Sequence, residues 1–104
     1  MNDIGFNKRE VTEKLIGIVA AKIRSPHFRV FYFGSRAEGR GTEKSDLDVG
    51  IEADDEVPGK LMIEIKEQVD NIPIMQKIDV VDFKKVSAGF KEVALQKIEV
   101  IYEK

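Results

Sequence analysis

The 104-residue chain has no cysteine, no tryptophan, one histidine and three prolines. Without thiols it forms no disulfide, no thiolate metal site and no cysteine nucleophile. A single imidazole, His27, cannot build a histidine-rich metal centre either. Hydrophobic runs are short. None approaches the roughly 18 apolar residues of a membrane span, and Met1 to Glu10 lacks the apolar stretch of a secretion signal, so the cytoplasm is the expected location. Charge of one sign is not in excess: 17 Lys and Arg against 19 Asp and Glu leave a net −2. That excludes a globally basic nucleic-acid or membrane surface, and any attraction for phosphate has to be local. No repeat, low-complexity tract or linker divides the chain, and its length suits one domain, residues 1–104.

What is there reads as alternating helices and strands. Asn7 with Glu10 forms a capping-box pattern, with Phe6 and Val11 placed as a hydrophobic staple. Val11, Leu15, Ile18, Val19 and Ile23 then recur at helical spacing until Ser25-Pro26. Arg29 to Phe33 and Leu47 to Glu52 are β-branched or aromatic runs of strand length. Pro58 opens a second helix with Met62, Ile65, Val69 and Ile72 on one face. Lys77 to Phe83 is a third strand, Ser87 to Lys97 a third helix, and Glu99 to Tyr102 a short closing strand. The order α-β-β-α-β-α-(β) predicts an α/β (α+β) sandwich: one mixed sheet of three or four strands, helices on one face, the other face open. The acidic run Glu52 to Glu56 reads as a solvated loop. Met62 and Met75 read as gap fillers, Tyr32 as core, and His27 as a connecting residue without a catalytic part.

One stretch departs from this routine: FGSRAEGRGTEKSDLDV, residues 33–49. Asp46 and Asp48 stand one residue apart in a strand, so they project to the same face about 6.5–7 Å apart. Like charges so placed repel unless a cation lies between them, and a hard divalent ion such as Mg²⁺ is the natural partner. Just upstream, Gly34 permits close approach of a ligand to the backbone. Ser35 offers a hydroxyl and a backbone N–H. Arg36, Arg40 and Lys44 make the segment locally basic in an acidic protein. Together these residues describe a phosphate cradle beside a metal site. A third carboxylate would complete it, and KIDVVDF, residues 77–83, holds two candidates on opposite faces, Asp79 and Asp82. Periodicity does not choose between them; the acid that does not meet the metal is expected at the strand end, in water.

The pattern of apolar-Gly-Ser, ten residues, Asp-apolar-Asp-apolar and a later strand aspartate resembles the DNA polymerase beta-like nucleotidyltransferase superfamily. GSRAEGRGTEKSDLDV is similar to its minimal nucleotidyltransferase branch, the MntA-like antitoxins, over about residues 28 to 83. The resemblance implies that Gly34 and Ser35 hold the triphosphate of ATP, with Arg36 beside them. It further implies that Asp46 and Asp48 bind two Mg²⁺ ions and that Asp79, not Asp82, is the third carboxylate. Glu38 stands where many relatives carry a basic residue and receives no phosphate role.

By the same resemblance the reaction is transfer of AMP from ATP. After the sheet and its helices the sequence leaves little for an acceptor-binding domain, so the acceptor is expected to be a second protein. Members of the branch are encoded beside a HEPN-domain RNase toxin and modify a tyrosine of it. Two other readings compete: an antitoxin that neutralises its partner by occlusion without catalysis, and a nucleotidyltransferase acting on RNA or a small molecule. No basic stripe with interleaved aromatics favours RNA.

Overall fold

In the computed structural model, which describes residues 7–34 and 46–104, the Asn7 side chain accepts the Glu10 N–H at 3.1 Å. It thereby satisfies one of the open N–H groups of helix α1 (Lys8–Lys22). Phe6, the other half of the expected staple, lies outside the described residues. The helix stops where Ile23 turns extended, its N–H still bonded to the Val19 carbonyl, two residues before a residue preceding proline would be pushed out of helical geometry. Strand β1 (Phe28–Phe33) and strand β2 (Leu47–Ala53) follow. Helix α2 (Gly59–Asp70) starts directly after Pro58. Strand β3 (Ile78–Asp82), helix α3 (Ala88–Ala94, capped by the Ser87 hydroxyl) and strand β4 (Glu99–Glu103) complete the order.

The four strands form one mixed sheet in the order β3-β2-β1-β4. β1 runs antiparallel to both β2 and β4, whereas β2 and β3 are parallel. One sheet face packs against α1 and α2. Val11, Leu15 and Val19 meet Met62, Ile65 and Val69 over Val30, Tyr32, Val49, Ile51 and Val80, all buried. Each large aliphatic so buried is worth about 1.5–3 kcal/mol. The Tyr32 hydroxyl, which could not be buried unpaired, lies 2.6 Å from Thr12 Oγ1.

The fold class is the expected one, but the second face is not left open. β1 alternates aromatics to both sides, so Phe31 and Phe33 would stand in water if nothing covered them. Instead they form a second cluster with Phe83, against which Ala94, Leu95 and Ile98 pack. α3 therefore lies on the face opposite α1 and α2, and helices flank both sides of the sheet. Two smaller expectations also change. Met62 fills the core, but Met75 is 83% exposed, and α3 is shorter at both ends than the run Ser87 to Lys97. Among the described residues no helix is long and apolar enough to cross a membrane.

Candidate active site

The site forms where β1 ends and β2 begins. Antiparallel pairing sets Phe33 beside Asp48, and parallel pairing sets Asp48 beside Asp79. Residues paired across a ladder share a face, so Asp48 and Asp79 stand side by side, with Asp46 two residues earlier on the same side of β2. Asp79 thus reaches the other carboxylates through strand register, which a single-strand periodicity could not decide.

Gly34 follows Phe33 directly. Its φ is +77°, a conformation that L side chains rarely adopt, and a Cβ placed there would run into Asp48 Oδ2. Glycine is required twice over: for the turn, and to leave room for the carboxylate. Ser35, Arg36, Arg40 and Lys44, the remaining cradle residues expected from sequence, lie outside the described residues.

Burial pushes the Asp48 carboxyl above its usual range, and the like charges of Asp79 and Asp46 push it further. All three causes penalise the anion, and a cation among the oxygens would relieve each of them. A hard-oxygen donor set of this kind suits Mg²⁺. Among the described residues no three acids are already drawn together as a cage; Asp48 and Asp79 form the pair, and Asp46 is exposed beside them. One cation is near. Lys77 Nζ lies 3.7 Å from Asp79 Oδ1.

The expectation for Asp82 needs correction. It is not in water at the strand end but 6% exposed. Its two oxygens accept different backbone N–H groups, from Val57 at 2.7 Å and from Lys84 at 2.9 Å. Those bonds hold the segment before α2 against the end of β3, so Asp82 is structural. The sequence hides this because the Val57 partner is 25 residues away.

Two further features were not foreseen. Gly50, on the Asp48 face of β2, lies under the rings of Phe31 and Phe83; a Cβ there would sit 2.7 Å from the Phe83 ring and closer still to Phe31. The rings meet edge-on, 4.9 Å between centroids, and Phe33 is 5.1 Å from Phe83. Beyond them, Glu52 is not a free member of the acidic run. It bonds Arg29 Nη2 and Lys91 Nζ, each at 2.8 Å. Burial alone would raise its carboxyl, but the bonds from Lys91 and Arg29 outweigh that and the net shift is downward. This ion cluster ties α3 to the sheet. Asp54, Asp55 and Glu56 are exposed, as expected of a solvated loop.

Clefts of about 420 and 520 Å³ lie elsewhere, between α1 and α2 and around Pro26 and Val57. Neither is lined by Asp46, Asp48 or Asp79.

Comparison with known proteins bears on the family and the fold. The family described as Polymerase beta, Nucleotidyltransferase matches residues 13–104. A curated relative from Haemophilus influenzae, named Probable protein adenylyltransferase MntA, is 26% identical over 101 residues, covering 95% of this chain and 89% of that protein. Among solved structures, a toxin-antitoxin crystal structure with AMP-PNP matches at TM-score 0.73 and 19% identity, over 88% of this chain and 72% of the other. A tri-AMPylated Shewanella oneidensis HEPN toxin in complex with MNT antitoxin matches at TM-score 0.71 and 16% identity, over 92% and 72%. At these identities the structural likeness is one of fold.

Proposed function

We propose that this chain, which belongs to the polymerase beta nucleotidyltransferase family and is a nucleotidyltransferase, moves AMP from ATP to a tyrosine hydroxyl of a HEPN-family RNase toxin and so acts as its antitoxin. The observation that carries the reading is the pairing of Asp48 with Asp79 beside the positive-φ Gly34, in a chain similar to a protein named as a protein adenylyltransferase.

Each residue then has a part. Gly34 lets the triphosphate approach the turn, and Ser35 and Arg36 hold its β- and γ-phosphates. Asp46, Asp48 and Asp79 would hold two Mg²⁺ ions, which when bound supply acidity to the acceptor hydroxyl and neutralise the leaving pyrophosphate. Asp79, on the edge strand β3, takes the acceptor proton in this reading, a part worth about 10²–10⁴-fold in rate. The toxin brings its own docking surface and delivers the hydroxyl to within about 3–3.5 Å of the α-phosphorus.

The test is to incubate the protein with labelled ATP, Mg²⁺ and the HEPN-domain product of the adjacent gene. Label should appear on that product as AMP and be absent from its Tyr→Phe variant. Asp48→Asn and Asp79→Asn should each lower transfer at least about 10²-fold. If an Asp46→Asn, Asp48→Asn double variant still neutralises the toxin fully, occlusion is the mechanism and the transferase reading of the antitoxin fails.

A further inference from the structure

The parallel pairing of β2 and β3 brings a cation as well as acids to one end of the sheet. Leu47 pairs with Ile78 and Asp48 with Asp79, and the Leu47 N–H bonds the Lys77 carbonyl at 2.9 Å. Asp46 and Lys77 stand one residue before that first pair, each just outside its strand. Asp48 and Asp79 therefore lie side by side on one face of the sheet, with Asp46 and Lys77 two residues before them in their chains. Three are acids. The fourth is an ammonium, 3.7 Å from Asp79 Oδ1.

We infer that Lys77 is the built-in counter-ion of the carboxylate site and sets its affinity for divalent cations by competing for the same oxygens. The inference rests on the metal-binding reading of Asp46, Asp48 and Asp79 and assigns a part to a residue outside that set. An ammonium within contact of Asp79 lessens the repulsion that Asp48 feels from two like charges. It also repels an arriving cation and gives up its own contact when that cation takes the Asp79 oxygen. Both effects lower metal affinity. Lys77 is 70% exposed at its side chain and Asp79 45%, so water screens the pair and the effect is of the size of a surface ion pair. A purely architectural lysine that held Asp79 in position would act in the opposite direction, since its loss would let the ligand wander and weaken binding.

The opposite signs make the test decisive. Mn²⁺ is titrated into the full chain, without nucleotide, and free Mn²⁺ is read from its paramagnetic resonance signal. Lys77→Ala should bind Mn²⁺ about two- to five-fold more tightly than the parent, and the gain should shrink at about 1 M KCl, where the screening length is about 3 Å. Lys77→Arg, which keeps the charge, should bind as the parent does. Equal or weaker binding by Lys77→Ala overturns the inference, as does a gain that high salt leaves intact. Asp48→Asn separates this failure from failure of the metal-binding reading. If the parent binds Mn²⁺ and Asp48→Asn does not, the site stands and only the role of Lys77 is at stake; if the two bind alike, both fall.

Discussion

Replacing Gly34 by alanine perturbs the site at one atom, with consequences of different size for stability and for transfer. At φ +77° an L residue pays about 1–2 kcal/mol of backbone strain. The new Cβ would also fall on Asp48 Oδ2 and lie 3.4 Å from its Cγ. That oxygen is the far end of a rotatable side chain, so the chain relieves the contact by turning the carboxylate off its rotamer, at about 0.5–1.5 kcal/mol. The sum is about 1.5–3.5 kcal/mol, or a melting-point loss of about 6–15 °C for a domain of this size. Transfer suffers more, because turning Asp48 takes its oxygen away from Asp79, and displacements on the ångström scale cost about 10²-fold. Thermal melts and labelled-ATP transfer measure the two separately. Gly17→Ala is the control: nothing lies within 4 Å of a Cβ there, in the body of α1, and it should gain about 0.5–1 kcal/mol. A Gly34→Ala protein that melts within about 2 °C of the parent and transfers AMP normally refutes the reasoning.

Asp48→Asn should stabilise the metal-free protein at neutral pH while abolishing transfer. The native carboxyl is shifted upward by burial and by Asp79 and Asp46, so its contribution is fully present below the ordinary value of 3.8 and is lost as pH rises through the native value. The variant's advantage in EDTA melts should therefore vanish as pH is lowered towards 3.8; an advantage that stays constant with pH means that charge is not its cause. Asp82→Asn should behave in the opposite way. It leaves one of the Val57 and Lys84 N–H groups facing an amide donor, costing about 1–3 kcal/mol, while folded protein transfers AMP normally; unchanged melting, or transfer lost from protein that is still folded, would contradict the structural assignment.

The elements were legible because each carries its own local signal. Asn7 and Pro58 mark helix starts, Ser25-Pro26 follows a helix end, and the strands are short β-branched or aromatic runs between polar segments. Gly34, Asp46 and Asp48 stood out as candidates for the same reason, since their pattern falls within fifteen residues of sequence. What depends on pairing was harder to read. Asp79 and Asp82 look alike in sequence, and only the register of β3 on β2 sends the first to Asp48 and the second to the Val57 N–H. α3 was assigned to the wrong face because its own stripe is weak: Phe90 and Val93 remain 44% and 68% exposed. Its position is dictated by Phe31, Phe33 and Phe83, which need cover, and by Lys91 reaching Glu52.

The Asp48 face of β2 shows how one strand separates function from structure. Asp46, Asp48, Gly50 and Glu52 follow one another along it at the strand period. Gly50 admits the Phe31 and Phe83 rings, and that aromatic wedge keeps the two ends apart. On one side Glu52 is given two cations, and its carboxyl is held below the usual range despite its burial. On the other, Asp48 is raised, by its burial first and then by two more acids. Residues four apart, with nearly the same chemistry, are thus driven in opposite directions by what surrounds them. The ion cluster of Arg29, Glu52 and Lys91 is satisfied within the fold and has no need of a ligand. Among the described residues the acids around Asp48 have one cationic partner, Lys77, which offsets them only in part, at 3.7 Å and largely in water. Their repulsion is a cost carried by the folded chain. A bound divalent cation would relieve it, which is the physical reason for proposing these carboxylates as the catalytic ones.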